Sequence, residues 1–465
     1  MSTPADDTRQ PHQFQLLGQR RYAPFFWMLF AGAFNDNLLK FVVVLVLTYQ
    51  VRVPWLPPEQ VGPVLGGIFI LPSVLWSVLA GQVVDRFDQD RLMRWGKLAE
   101  LAMMVLAGWS LWQQSVAGLL LSVLLSGVHV TLFSTLKYAY PARHLADHEL
   151  VGGNGLLETG TFTAILLGTV AGGVSMGQVA AHPEQHGGLW VTIAGLVGVA
   201  LAGWWCARQV PRTPAASPGL HLDWQLWRSA TQIVGEVRRE PRLWWALMGV
   251  SWMWAFGSVM FSLFPAIAKD VLHAAPEVAA VLLVVTTLGI ALGALSCERL
   301  SRTDAGHRPD LGLVLPGGVM MVVFAADLAR VVASIAADPS MAAVQAYSLA
   351  TWQAHPSHVW GLVDLGLMSV GMAWFSVPWY ARMQAQADGD RRARVVGANN
   401  LLNALFILVV SVVVSALLAA GWSLAQVMAA TAASQVLWLL WAGRAHPEVV
   451  GDALGLWRRW RGASA

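Results

Sequence analysis

The chain has 465 residues, of which 56% are hydrophobic and only 12% are charged, and its mean hydropathy is +0.53. Soluble domains carry about 25% charged residues, so this composition indicates a membrane protein. The net charge of +3 is small and dispersed, which excludes a nucleic-acid-binding protein, and the two cysteines form neither a disulfide framework nor a CxxC pair.

The first element is a polar N-terminal tail that runs through Arg21. No short apolar region with a cleavage site follows it, so we expect no cleaved signal peptide. Twelve apolar segments of about the length that crosses a bilayer come next. They lie at 23–50, 61–84, 95–112, 115–138, 152–178, 187–208, 243–268, 277–298, 310–335, 359–384, 395–420 and 422–443.

Residues 209–242 interrupt this series in the middle of the chain. The segment is first proline-rich and then amphipathic, which is typical of a linker followed by a helix along the membrane surface. We therefore predict an all-α polytopic membrane protein with twelve transmembrane helices in two pseudo-symmetric six-helix bundles. The bundles span 23–208 and 243–443, between cytoplasmic tails at 1–22 and 444–465.

The distribution of basic residues predicts the orientation of the chain. If both termini are cytoplasmic, the inner loops, tails and helix ends hold all but four of the 30 Lys and Arg residues. The four exceptions are Lys40, Arg52, Lys269 and Arg330. Because basic residues concentrate on the cytoplasmic side, this partition favours two cytoplasmic termini.

The loop between the second and third spans reads "GQVVDRFDQDRLMRWGK". Its residues Gly81, Asp85, Arg86 and Arg91 match the G-x-x-x-D-R-x-x-x-x-R signature of the major facilitator superfamily. We expect Gly81 to let a neighbouring helix approach closely. We expect Asp85 to pair across the two halves, so that breaking the pair releases one conformation for the other.

A degenerate second copy, "ALSCERLSR", lies between the eighth and ninth spans. Glu298 and Arg299 occupy the positions of Asp85 and Arg86. An ordinary basic inner loop would explain either copy alone, but a signature repeated at the same helix pair of each half favours the superfamily.

Several longer stretches narrow the resemblance. They are "GAFNDNLLKF", "DRFDQDRLMRWGKLAE", "LFSTLKYAYPARHL", "ELVGGNGLLETGTFTAILLGTVAGG", "SWMWAFGSVMFSLFPAIAKDVL", "CERLS" and "RVVGANNLLNALF". From about residue 20 to 445, the chain resembles the bacterial lysophospholipid transporters of this superfamily. Some of these are fused to acyltransferase and acyl-ACP synthetase domains.

This resemblance implies a flippase of the bacterial inner membrane. It implies movement of lysophosphatidylethanolamine-type lipids from the outer to the inner leaflet by alternating access, for reacylation there. The reacylating acyltransferase or acyl-ACP synthetase would then be a separate chain. We expect a monomer without cofactor or metal, in contact with its lipid substrate, membrane lipids and no nucleic acid.

The first span carries Asn35, Asp36, Asn37 and Lys40 inside an apolar helix. A charged group there costs about 2.5–3.5 kcal/mol on insertion scales, so such residues are functional candidates. Asp36 would meet the ammonium of a lipid headgroup or a coupling cation, and Lys40, one turn later, would meet its phosphate. Alternatively, the two neutralise each other and the asparagines hold neighbouring helices.

A second polar group lies around the fifth span. Asn154, Glu158 and Thr161 share one side of this helix, and Lys137 ends the fourth span. Glu158 would carry a proton if it is buried, or would only pack against its neighbours. Lys137 would hold a lipid phosphate or serve as a cytoplasmic anchor. A coupling H⁺ or Na⁺ would bind Asp36 or Glu158, whereas downhill movement drawn by reacylation needs no ion.

Most of the 24 tryptophans are expected to lie at membrane interfaces. Trp252, Trp254 and Trp374 lie nearer to the middle of their spans and are candidates for an apolar wall against the acyl chain.

Two alternatives remain open at this point. Superfamily membership alone also fits a proton-coupled exporter of drugs or small metabolites. A polytopic acyltransferase is the second alternative, suggested by His144 and His148 one helical turn apart. That pair lacks a third metal ligand, and no HxxxxD or GxSxG motif accompanies it.

Overall fold

The computed structural model describes residues 13–181, 187–222, 224, 226–300, 310–338, 356–385 and 391–462. No β-strand lies within these residues, and twelve helices in them have 22 residues or more. They are α1 (Ala23–Leu45), α2 (Pro58–Arg86), α3 (Gln89–Trp112), α4 (Val116–Ala139), α6 (Asp147–Ala181), α7 (Gly187–Gln209), α9 (Pro241–Ala266), α10 (Pro276–Leu300), α11 (Val314–Ala336), α12 (Pro356–Ala385), α13 (Arg391–Ala419) and α14 (Leu424–Ala445). Three shorter helices are α5 (Pro141–His144), α8 (Leu226–Arg238) and α15 (Pro447–Gly462).

Eleven helices of the described residues are long and apolar enough to cross a membrane. The predicted span at 95–112 lies in α3, which has 24 residues but falls outside that set. Its apolar character is reduced because Lys97 and Glu100 lie in its middle, yet both side chains are buried against neighbouring helices. The predicted number of long helices is therefore found, and α3 differs from the others in polarity.

The helix pairings of the first half recur in the second. α1 packs on α6 and α7, just as α9 packs on α13 and α14. Likewise, α2 packs on α4 and α3 packs on α7, as α10 packs on α12 and α11 packs on α14. We call α1–α7 the N-terminal half and α9–α14 the C-terminal half. They meet where α2 packs on α13 and α9, and where α6 packs on α10.

The two halves close on each other at one end of the bundle. We call the end at which α1 and α9 finish the distal end, and the opposite end, where both begin, the proximal end. Both helices finish in one π-helical turn, Val46–Gln50 and Ile267–Val271. The Tyr49 hydroxyl donates to the Ala274 carbonyl at 3.2 Å, and the Lys269 ammonium donates to the Thr48 carbonyl.

Glycines allow the halves to approach closely at this distal end. A Cβ atom added at Gly62 of α2 would lie 1.7 Å from the Ser262 carbonyl oxygen of α9. One added at Gly177 of α6 would lie 1.7 Å from a carboxylate oxygen of Glu277 in α10. Larger residues at either position would therefore keep the halves apart.

The linker and the C-terminal tail both contain helices. The predicted amphipathic helix of the linker corresponds to α8, which packs on α2, α9 and α13 and buries Val237. The tail contains α15, for which the sequence analysis gave no indication. The backbone N–H of Leu311 donates to the Asp452 carboxylate of α15 at 3.1 Å, which fixes α15 beneath α11.

Candidate functional site

The polar residues of α1 project in different directions and do not form one site. Asn35 is fully buried, and its amide donates to the Leu196 carbonyl of α7 at 3.0 Å. The Asn37 amide donates to Ala33 of its own helix at 2.8 Å. Asn35 therefore holds a neighbouring helix, as the packing alternative expects, whereas Asn37 bonds to its own helix.

Asp36 points toward α4 and the interior of the N-terminal half. Its side chain is buried, with the residue only 5% exposed. The Ser126 hydroxyl of α4 donates to one carboxylate oxygen at 2.5 Å, and Nδ1 of His129 lies 3.9 Å from the other. The carboxylate is thus held by α4 rather than by Lys40.

The polar contacts continue from His129 to α3. Nε2 of His129 lies 3.2 Å from Glu100 Oε2, and Nζ of Lys97 lies 2.5 Å from the same oxygen. Lys97 is completely buried, Glu100 is 1% exposed and His129 is 9% exposed. We call Asp36, Lys97, Glu100 and His129 the buried charge cluster.

Neighbouring small and aromatic residues shape this cluster. A Cβ atom at Gly32 of α1 would lie 2.4 Å from the Lys97 ammonium, so only glycine lets the lysine pass beside α1. The Phe133 ring lies 4.3 Å from the His129 ring and 4.9 Å beneath the Lys97 ammonium. The aromatic face gives the cation a favourable electrostatic surface in a site without bulk water.

The sequence analysis found only Asp36 of this cluster. The missed residues nevertheless left a signal, because Lys97 and Glu100 are spaced i, i+3 inside the apolar part of the third predicted span. His129 and Ser126 show the same spacing in the fourth. Charged pairs inside a span face the bundle interior by default.

Lys40 is half-buried and extends toward α2. Its ammonium lies 4.4 Å from the centroid of the Phe69 ring. No carboxylate of the described residues lies within 4.0 Å of this ammonium. The mutual neutralisation with Asp36, the alternative in the sequence analysis, is therefore not present as an ion pair.

The second predicted group assembles around an ion pair near the proximal end. Nζ of Lys137 lies 3.0 Å from Glu158 Oε1, and the Tyr138 hydroxyl donates to the same atom at 2.9 Å. The Glu158 side chain is 42% exposed, so the burial on which a proton-carrying role was conditional is not present, and its contacts fit the packing alternative. Thr161 donates to Leu157 of its own helix, and the Asn154 side-chain oxygen accepts no hydrogen bond from the described residues.

The loop signature behaves differently from its predicted role. An added Cβ atom at Gly81 would meet nothing within 4 Å, so the close approach expected there is absent from the described state. The Asp85 side chain is exposed and enters no ion pair among the described residues. The backbone carbonyl of Asp85 accepts a hydrogen bond from the backbone N–H of Ser217. A cross-half contact at this loop would be broken when the halves separate proximally, which fits a bundle that closes distally.

Other residues of the loop bind the linker instead. The Asp88 carboxylate accepts from the Ala215 N–H at 3.0 Å and lies 3.3 Å from Arg91, whereas Asp90 accepts from the Thr213 N–H at 3.0 Å. Arg86 lies over the neighbouring Phe87 ring. The side chains of Glu298 and Arg299, the second copy, lie outside the described residues.

Two of the three predicted acyl-chain residues pack inside the C-terminal half. The indole N–H of Trp252 donates to Gln435 of α14, and that of Trp374 donates to Ser296 of α10 at 2.8 Å. Each indole N–H therefore holds a neighbouring helix, both residues are partly exposed, and their placement in an acyl-chain wall stays a prediction. Trp254 is 39% exposed and donates to the Tyr380 hydroxyl at 2.7 Å.

Only one side chain of the histidine pair lies among the described residues. Nε2 of His144 lies 2.7 Å from the Thr213 hydroxyl, and the side chain of His148 lies outside the described residues. In the part of the chain that the structure describes, no group of three or more His, Cys, Asp or Glu is arranged to hold a metal ion.

Comparison with known proteins places these helices in a family. The family model described as Major Facilitator Superfamily matches residues 22–341. The chain belongs to this superfamily. It is a multi-pass membrane transporter rather than an enzyme, which excludes the acyltransferase alternative.

Within the superfamily, the curated relatives include the "Lysophospholipid transporter LplT" of Salmonella heidelberg (strain SL476), which is 32% identical over 208 residues. The alignment covers 43% of this chain and 44% of that relative, so the chain matches less than half of its length. The LplT of Salmonella arizonae is 32% identical over 206 residues, with 42% and 44% coverage.

Solved structures share the fold at low sequence identity. A POT family transporter in complex with a thioalcohol-conjugated peptide superposes with a TM-score of 0.64 and 9% identity, over 91% of this chain and 96% of that one. A bacterial homologue of the iron transporter ferroportin in an inward-facing state gives 0.59 and 14%, over 89% and 98%. These similarities confirm the predicted major facilitator fold.

Proposed function

We propose that this transporter moves lysophospholipids of the lysophosphatidylethanolamine type from the outer to the inner leaflet of the bacterial inner membrane. The observation that carries the proposal is Lys40. Its ammonium is half-buried within the bundle and has no carboxylate partner among the described residues. A buried cation is stabilised by an anionic partner, and the phosphate of a lysolipid supplies one.

Other features of the structure support a lipid substrate. Trp254 and Tyr380 form an amphipathic aromatic pair, with a partly exposed ring that suits a single acyl chain. The similarity of part of the chain to lysophospholipid transporters agrees with this substrate class.

The distal closure corresponds to one of the two states that alternating access requires. With both termini cytoplasmic, as the basic residues predict, the distal end faces the outside. The contacts of Tyr49 with Ala274 and of Gly62 with Ser262 then close the outer side. Alternating access requires a second state in which these contacts open and the lipid enters from the outer leaflet. Reacylation by a separate acyltransferase would keep the inner lysolipid concentration low.

The test is uptake of labelled lysophosphatidylethanolamine by cells that lack their own lysolipid importer. Wild type is compared with Lys40→Met and Lys40→Arg at equal membrane abundance. Arg330→Met is the matched control, because Arg330 pairs with Asp327 on α11 of the other half. Loss of a charge-assisted hydrogen bond costs about 1.5–3 kcal/mol, so Lys40→Met should reduce uptake about tenfold or more.

The outcomes test the proposed substrate and the proposed role of Lys40 separately. Lys40→Arg should retain part of the uptake because it keeps the charge, and Arg330→Met should match wild type. Equal uptake by wild type and Lys40→Met would contradict the role of Lys40. No uptake by wild type would contradict the function and favour the exporter alternative.

A further inference from the structure

We propose that the buried charge cluster is a proton site at His129 that is linked to the headgroup cation Lys40, so that one proton moves with each lysolipid. The coupling part of this inference rests on the proposed function. The proton site itself rests on the geometry of the cluster.

The groups that surround the His129 ring favour its protonated form. Its Nε2 faces Glu100 at 3.2 Å, and its Nδ1 faces Asp36 at 3.9 Å. An ionised carboxylate only accepts hydrogen bonds, and a neutral imidazole carries a single N–H. One ring nitrogen of a neutral His129 would therefore present its lone pair to a carboxylate, whereas an imidazolium presents N–H groups to both.

The total charge of the cluster also favours a proton on His129. Lys97 and Glu100 form one neutral pair at 2.5 Å. Asp36 then brings a further negative charge into a site where it is 5% exposed, and its hydrogen-bonded neighbour among the described residues is the neutral Ser126 hydroxyl. Uncompensated charge is unstable in a buried site. One proton on His129 makes the four groups neutral together.

The ring nitrogens of His129 are not held by aligned hydrogen bonds. His129 is 91% buried, yet neither ring nitrogen makes a hydrogen bond of ordinary geometry with the described residues, and Glu100 Oε1 also has no partner there. A structural imidazolium would be held by two aligned hydrogen bonds. A ring whose partners are near but not aligned is able to gain and lose its proton.

The other helices around the ring bring no competing charge. Among the described residues, α2 contacts α4 through the neutral Ser73 and Thr131 hydroxyls. The Cys206 thiol of α7 lies within electrostatic range of Lys97, on the α3 side of the cluster. Asp36, Lys97 and Glu100 are therefore the charges that govern the proton on His129.

The link to Lys40 runs along α1. Asp36 and Lys40 lie one helical turn apart and within electrostatic range of each other. While His129 is protonated, Asp36 has its own counter-charge and Lys40 is available for a phosphate. When His129 releases its proton to water, Asp36 keeps an unbalanced charge and attracts Lys40, which weakens phosphate binding. Phosphate and proton therefore favour each other at this site.

The same helix connects the cluster to the distal closure. The π-helical turn that ends α1 holds Thr48 and Tyr49, which contact Lys269 and Ala274 of the other half. A change in the attraction between Asp36 and α4 thus acts on the helix that must move when the outer side opens.

The experiment uses the full chain reconstituted in proteoliposomes with lysophosphatidylethanolamine and a trapped pH dye. Wild type should carry protons with the lysolipid, and an inward proton gradient should raise lysolipid accumulation severalfold. His129→Gln should lose lysolipid-dependent proton movement and the response to the gradient. His446→Gln, a histidine outside the transmembrane helices, is the control and should behave as wild type.

The outcomes distinguish this inference from the proposed function. Wild-type lysolipid movement without protons would overturn the coupling and leave the function standing. No lysolipid movement by wild type would overturn both the function and the coupling. The proton site is judged separately by histidine ¹⁵N NMR at pH 7.5. An imidazolium signal that His129→Gln removes would support it, and a neutral imidazole at this position would overturn it.

Discussion

The two halves repeat each other in helix packing but differ in the chemistry of their interiors. In the N-terminal half, Lys97, Glu100 and Asp36 bring full charges into the bundle and His129 lies between them. In the C-terminal half, Asp364 and Arg382 are buried, at 5% and 3% exposure, but the following contacts between helices are neutral hydrogen bonds. They join Ser251 to Asn403, Trp252 to Gln435, Trp254 to Tyr380 and Trp374 to Ser296.

Of the described ion pairs of the C-terminal half, one is buried at the proximal end and one is exposed. Arg382 pairs with Glu448 where α12 meets α15, and Arg330 pairs with Asp327 on α11 with both side chains largely exposed. The two halves therefore share their helix packing without sharing the chemistry of their interiors. The N-terminal half holds a cluster of four buried ionisable groups, whereas the contacts named above between helices of the C-terminal half join neutral side chains.

The contact that joins the halves should show the largest effect. Gly62→Ala places a Cβ atom 1.7 Å from the Ser262 carbonyl oxygen, so the distal end cannot close and uptake should fall to background. Gly67→Ala, five residues later in α2, is the control, because its Cβ atom would make an ordinary 3.5 Å contact with Ser411. Both are measured by lysolipid uptake and by thiol labelling of a cysteine introduced at Thr48, which is 2% exposed in the closed distal end, in a variant without Cys206 and Cys297. Normal uptake by Gly62→Ala would show that distal closure is not required.

Breaking the buried cluster should cost more stability than any single interior contact of the C-terminal half. Glu100→Ala leaves the Lys97 ammonium, which is 0% exposed, without its partner. Breaking a buried pair lowers the free energy of unfolding by about 3–5 kcal/mol. Thermal unfolding of the purified protein measures this loss. Combining Lys97→Met with Glu100→Met should restore much of it, and a double variant worse than either single change would contradict the pairing.

The corresponding change in the C-terminal half should have a smaller effect. Asn403→Ala removes the hydrogen bond from Ser251, which is 2.8 Å long. A neutral hydrogen bond contributes about 0.5–1.5 kcal/mol, so the free energy of unfolding should fall by about 1 kcal/mol and uptake should persist. A loss as large as that of Glu100→Ala would remove the energetic distinction between the halves.

The smallest effect concerns two proximal histidines, one in each half. Burial lowers the pKa of His144, with Arg143 and Arg21 adding to the effect, and burial also lowers the pKa of His446. The unfolded chain keeps an ordinary histidine pKa, so below about pH 6.5 it binds more protons and stability falls as the pH falls. Above that pH these histidines are neutral in both the folded and the unfolded chain, so they cause no loss of stability.

Unfolding scans between pH 7 and 5 test this expectation. His144→Gln and His446→Gln should each flatten the loss of stability on acidification, and their combination should flatten it further. An unchanged slope in the double variant would show that other groups determine the acid sensitivity of the proximal end.

The fold was predictable because apolar length, basic loops and a repeated loop signature are local properties of the sequence. The direction of side chains around α1 was not. Asn35, Asp36 and Lys40 lie within two turns of one helix, yet they face α7, α4 and α2 respectively. The neighbour that each face meets depends on how the helix is rotated about its axis. Because α1 is packed on several sides, its apolar pattern does not determine this rotation.

The cluster partners were missed for a related reason. Lys97 and Glu100 lower the hydropathy of α3, and the sequence analysis counted that segment as an ordinary span without asking what would neutralise its charges. Gly81 shows the opposite case. A small residue in a signature suggested a close contact, but such a contact depends on the conformational state, and the described state leaves open space there.

In the proposed function, lysolipid recognition depends on Lys40, the headgroup-binding cation in the N-terminal half. The most direct measurement is binding of lysophosphatidylethanolamine to the purified protein by wild type, Lys40→Met and Asn403→Ala, with movement across proteoliposomes recorded in parallel. We predict that Lys40→Met loses affinity about tenfold or more while Asn403→Ala stays close to wild type. Equal affinity of wild type and Lys40→Met, or a larger loss in Asn403→Ala, would contradict the account.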